Sequence, residues 1–73
     1  MLKISKEDQE FLKEYFDDGF YMIYEMPIDE VLTSIVKFIA QYGTDEEYEL
    51  NEIGTKAQDI YSRIYKDNVE ENQ

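Results

Sequence analysis

Residues 49–67, "ELNEIGTKAQDIYSRIYKD", decide the fold. Leu50, Ile53, Ala57, Ile60, Tyr61, Ile64 and Tyr65 recur at the period of about 3.6 residues that places them on one side of a helix. Two acid–base pairs, Glu52 with Lys56 and Asp59 with Arg63, stand one turn apart in the favourable order, each contributing about 0.3 kcal/mol. One residue disturbs the pattern: Gly54 costs about 1 kcal/mol against alanine in a helix interior. Either it allows a close crossing with a neighbouring helix, beside the small Ala57, or it ends a short helix over 45–52 and Thr55 caps the next. The close crossing is the preferred reading. The stripe is also wider than one seam needs. Ile53, Ala57, Ile60 and Ile64 read as core, and Tyr61 and Tyr65 as its edge, where the stripe spills over toward a partner.

Working upstream, "TDEE" at 44–47 has capping-box form, with Glu47 at the third position, so this helix is expected to begin at Thr44. Before it, residues 28–42 carry Ile28, Val31, Leu32, Ile35, Val36, Phe38, Ile39 and Tyr42 around more than half of a helical circumference. A helix so apolar is expected to be central and buried on several sides. Pro27, followed by Asp29 and Glu30, suits its first turn, and Gly43 closes it. The first helix is expected after Ser5, a capping residue with Asp8 three positions on. Its apolar face is Phe11, Leu12, Tyr15 and Phe16. "DDG" at 17–19 ends it with Gly19 in the left-handed position, or the helix continues through "FYMIYE" to Pro27. Both readings stay open, because Leu12, Phe16, Gly19 and Ile23 keep helical phase.

The pattern therefore predicts an all-α protein: a small three-helix bundle, up-down-up, with short connections at Met26–Pro27 and Gly43–Thr44. Residues 1–67 form one helical domain, and 68–73, "NVEENQ", a flexible, frayed acidic tail. The chain has 73 residues. A domain of that size buries about 60% of the surface its unfolded chain exposes, so its stability is modest and a large enclosed active site is out of reach.

No pattern in the chain carries chemistry. Histidine and cysteine are absent, which removes the usual general base at neutral pH, the common nucleophilic pairs and the zinc ligands. "GTK" at 54–56 lacks the rest of a phosphate-binding loop. "DDGFYMIYE" sets Phe20, Tyr21 and Met22 where a calcium loop needs oxygen ligands. Paired carboxylates such as Glu49 and Glu52 have no dry pocket to shift their acidity. The chain is expected to have no catalytic, cofactor or metal site. With no signal-peptide-like apolar run and no cysteine, it reads as a cytoplasmic protein. Its bias toward Ile, Tyr, Lys, Glu, Asp and Asn suits a bacterial or phage genome.

Charge is the strongest functional signal. Eighteen acidic residues face seven basic ones, a net −11. Nucleic acid and anionic membranes would repel such a surface. The charge either serves solubility alone or attracts a basic protein partner. The expected partner surface comprises Asp17 and Asp18, the residues Asp45, Glu49 and Glu52, which helical spacing would set along one ridge, Tyr48 interleaved with those carboxylates, and the aromatic anchors Tyr61 and Tyr65. Seven tyrosines and four phenylalanines are many for this size, although tyrosine also lines core rims with its hydroxyl wet. The function expected is that of a small acidic non-enzymatic protein that blocks a basic partner: immunity- or antitoxin-like, a phage-type inhibitor, or a DNA mimic. The alternatives are an accessory subunit docking through an aromatic helix face and a structural helical homodimer.

Self-repulsion at −11 opposes compactness. Raising salt from about 10 to about 200 mM should therefore lift the melting temperature, since about 1 kcal/mol relieved is worth about 4–8 °C in a domain of this size. A fall over that range in a calorimetric scan would mean that attractive pairs outweigh the repulsion.

Overall fold

The computed structural model describes residues 2–70. Four helices follow in order: α1 (Lys6–Tyr15), α2 (Gly19–Tyr24), α3 (Ile28–Tyr42) and α4 (Glu52–Asn68). Among the described residues there is no strand, and one isolated antiparallel bridge joins Thr44 to Leu50. The all-α class holds. The count of three helices does not, and the correction lies in the first element.

Ser5 caps α1 through its Oγ, which accepts from the Asp8 N–H at 3.2 Å. The helix ends at Tyr15 because Phe16 turns extended, with φ −121° and ψ 129°. Asp17 and Asp18 form the turn, and Gly19 N–H donates to Phe16 O at 3.1 Å. Gly19 then opens α2 instead of ending α1, and no described glycine has a positive φ. Its role is steric: a Cβ there would overlap the Leu12 carbonyl oxygen. The short α2 folds back along α1 until Ile23 O accepts the Leu2 N–H at 2.9 Å. This reversal buries Met22 and Ile23, which a straight continuation of α1 would have carried away from the core. Pro27 sits just before α3 as its N-cap, with φ −58°, and its carbonyl accepts from Glu30 and Val31.

α3 and α4 are antiparallel. Gly43 at the end of α3 lies against Gly54 in the first turn of α4, while Ile28 and Asn68 meet at the opposite end. The contacting faces are those that the 3.6-residue period picks out: Val31, Ile35 and Phe38 against Ala57, Ile60 and Ile64. With Leu2, Leu12, Met22 and Ile23 they form the core, and Ile53 and Tyr61 pack half-buried against it. α3 is less enclosed than its composition predicts, since Val36 and Tyr42 remain 50% and 58% exposed. Four short helices on a chain this size do not supply enough surface to cover all sides of one.

α4 does not begin at Thr44. Residues 44–51 are a hydrogen-bonded loop, and the cap is Asn51, whose Oδ1 accepts from Gly54 N–H at 2.7 Å. Asn51 also donates its backbone N–H to Gly43 O and its Nδ2 to Tyr42 O, both at 2.9 Å. One residue thus starts α4 and ties it to the end of α3. At the far end Asn68 exchanges two 2.8 Å hydrogen bonds with the Lys3 backbone. Asn68 therefore belongs to the folded helix and not to the expected tail, of which residues 71–73 lie outside the described residues.

The close crossing at Gly54 is present, but the neighbouring residue that requires it is Gly43: a Cβ on Gly43 would stand 2.8 Å from the Gly54 Cα, and one on Gly54 would overlap the Gly43 carbonyl. Gly54→Ala gains about 1 kcal/mol of helix propensity but must push two backbones apart, at about 1–3 kcal/mol or more. The expected result is a net loss in denaturant unfolding. A more stable Gly54→Ala protein would overturn the contact.

A candidate docking surface

The exposed end of α3 adjoins the α1–α2 corner, and the two leave a hollow of about 610 Å³. Its aromatic character follows from two helical spacings. Phe11 and Tyr15 stand one turn apart on α1, Phe16 follows as its C-cap, and Phe38 and Tyr42 stand one turn apart on α3. Phe38 is the hub, with ring centroids 4.8 Å from Phe16, 5.5 Å from Tyr42, 6.1 Å from Tyr15 and 6.2 Å from Phe11. Phe38 and Phe16 floor the hollow with Ile53, and the half-open Tyr15 and Tyr42 wall it. Asp17 and Asp18 stand on its rim on the corner side, and Lys37 and Gln41 on the α3 side. Neither aspartate carboxylate joins an ion pair: among the described residues the pairs are Glu52–Lys56 and Asp8–Arg63.

The 44–51 loop extends this surface past Tyr42. Asp45 organises it, its Oδ1 accepting from the backbone N–H of Glu47 at 2.8 Å and of Glu49 at 3.0 Å. Its own N–H donates to Glu49 O, and Tyr48 N–H donates to Asp45 O. The tight turn forces Tyr48 to φ 64°, where a side chain is disfavoured. Tyr48 is 89% exposed, with Glu46, Glu47 and Glu49 exposed around it.

The expected ridge of Asp45, Glu49 and Glu52 on one helix flank is not formed, because 45–51 are not helical. Asp45 instead spends its carboxylate within the loop, Glu49 stays free, and Glu52 opens α4 with its carboxylate 3.7 Å from Lys56. Asp17 and Asp18 come together with aromatic side chains that the sequence did not single out for binding, Tyr15, Phe38 and Tyr42. Tyr61 and Tyr65 do not line the hollow. They stack on each other along α4 at 6.5 Å and 11°, Tyr61 half-buried and Tyr65 39% exposed. Phe20 and Tyr24 make another exposed aromatic pair on α2, at 4.6 Å.

A long-range ion pair joins α1 to α4. Arg63, expected to pair with Asp59, grips the buried Asp8 through Nε and Nη2, both at 2.9 Å. Those hydrogen bonds raise the guanidinium above its ordinary pKa. Burial opposes the shift, and the charges of Asp8, Asp59 and Glu7 reinforce it. A raised arginine contributes stability below its ordinary value and loses it only as pH climbs through the folded one, so this cation is charged throughout the neutral range. The sequence held one sign of the pair: Asp8 is in helical phase with Leu12 and Tyr15, a carboxylate on an apolar face.

Among the described residues no group of three or more acidic, histidine or cysteine side chains is arranged to hold a metal ion. No helix among them is long and apolar enough to cross a membrane. Comparison with known protein families, curated proteins and solved structures finds no match in any of the three.

Tyr48 makes no ring contact, and its backbone suits glycine. Tyr48→Gly removes left-handed strain of about 1–2 kcal/mol against a similar or smaller entropic cost. Thermal unfolding should show unchanged or slightly higher stability. A loss above about 1 kcal/mol would give the ring a structural role that its exposure denies.

Proposed function

We propose that this protein is a small acidic interaction protein without enzymatic activity, which binds and blocks a basic protein partner. The observation that carries the reading is the set of uncompensated carboxylates beside exposed aromatic rings. Asp17 and Asp18 flank the Phe38 hollow, and Glu46, Glu47 and Glu49 surround Tyr48. Two ion pairs among the described residues leave most of the net −11 facing outward. Such a surface accelerates encounter with a positive one and disfavours nucleic acid and anionic lipid. Aromatic side chains supply the contact area that charge alone lacks. The pattern suits an immunity protein, an antitoxin or a phage-type inhibitor in the cytoplasm. If the partner binds nucleic acid, it suits a DNA mimic.

An accessory subunit docking through its aromatic face is the second reading, and the exposed hollow favours it independently of charge. Salt separates the two. Capture from lysate at about 50 mM salt, followed by kinetics with the purified partner, should find a basic protein whose association slows about tenfold or more by about 300 mM. Glu46→Lys and Glu49→Lys should slow it further without altering the fold. A neutral or acidic partner, or association indifferent to salt, would leave the accessory-subunit reading in its place.

A further inference from the structure

Resting on the proposal of a basic partner, we infer that the Phe38 hollow is the docking site for an amphipathic helix of that partner. Two apolar side chains would enter between Tyr15 and Tyr42, and a lysine or arginine would lie over Asp17 and Asp18. Three observations select this occupant. First, the volume of about 610 Å³ lies within the range of about 300–1,000 Å³ that accommodates a ligand of several side chains' bulk. Its open walls are rings of tyrosine, the residue type enriched at binding hot spots.

Second, the described end of α4 does not fill it: the hollow adjoins Ile53, and the helix ends at Asn68 beside Lys3, fifteen residues or about 22 Å along α4 at 1.5 Å per residue.

Third, the charge discriminates among foreign occupants. A second copy would bring another −11 surface against the first. The corner side of the rim offers two unpaired carboxylates, and the α3 side offers Lys37. This asymmetry fixes the direction of fit, with the occupant's cation toward Asp17 and Asp18. α3 supplies a straight edge from Ser34 to Tyr42, about 12 Å or two helical turns. That length suits apolar anchors one turn apart, the pattern by which helices enter grooves.

The test uses two synthetic peptides of about 14 residues, about 21 Å as a helix. Both carry leucines along one face; one has lysine on the other face, the second glutamate. Each is titrated into the isotopically labelled protein by NMR. The lysine peptide should shift Tyr15, Phe16, Phe38 and Tyr42, and the glutamate peptide should not bind. Tyr42→Ala, at an exposed position, should weaken binding about tenfold or more with the helical fold retained in circular dichroism, as should Asp17→Asn with Asp18→Asn. Equal binding of both peptides would overturn the inference, because the rim charge would then select nothing. Binding of the lysine peptide at 45–49, untouched by Tyr42→Ala, would overturn the site while leaving the basic-partner proposal standing. No binding by either peptide would overturn the site as well. The salt-dependent association with the captured protein then decides the broader proposal by itself. A dimer in sedimentation equilibrium that dissociates in Tyr42→Ala would replace the helix by a second copy of the chain.

Discussion

The contact between Gly43 and Gly54 sets how the two longest helices meet. Here the backbone of one helix end lies against the first turn of another, with no room for a Cβ on either side. Once that approach is fixed, the remaining core positions fall into register. Val31, Ile35 and Phe38 meet Ala57, Ile60 and Ile64, and the small Ala57 continues the narrow part of the seam. Asn51 secures the same junction through hydrogen bonds to Gly43, Tyr42 and Gly54. Steric permission and hydrogen bonding thus act within a few residues, so the angle between α3 and α4 follows from local chemistry at one end of the bundle.

The Phe38 hollow is a by-product of that geometry. With α4 pinned to the last residue of α3, the outer side of Phe38 and Tyr42 is left to α1 alone, and α1 stops at Tyr15. The corner at Asp17 and Asp18 then reverses the chain before another helix can cover the rings. A core of this size cannot enclose every aromatic residue it carries. What is left outside is concentrated at this corner, on the Phe20–Tyr24 pair and at the Tyr48 tip, beside carboxylates that no internal cation neutralises. The loop that projects Tyr48 is itself tightly bonded through Asp45, so its backbone needs little ordering on contact.

Between α1 and α4, stability comes from a different kind of interaction. Asp8 is buried, and the bidentate grip of Arg63 satisfies it across fifty-five positions of sequence. Breaking such a pair from one side strands a charge, whereas forming it fixes the position of α1 along α4. Lys3, in the segment that leads into α1, bonds Asn68 at the far end of α4, so the chain entering α1 runs antiparallel to α4.

Helical periodicity determined by itself that the protein is all-α, that residues 28–42 form one helix, and that Ala57, Ile60 and Ile64 face the core. These follow from local spacing, which any neighbour would have to respect. The cap at Ser5 was legible for the same reason. Tertiary structure alone decided the rest. "TDEE" carries a cap signal, but Asn51 makes the cap that also ties α4 to α3, and so the helix starts at Glu52. Gly19 keeps helical phase, but only the return of α2 onto Leu12 shows why no side chain fits there. Arg63 has Asp59 one turn away, yet the buried Asp8 holds it more strongly because an unpaired carboxylate there would cost more than an exposed pair returns. The Phe38 hollow brings Tyr15, Asp17, Asp18 and Tyr42 together from two segments, and no spacing within either segment announces a surface that exists only between them.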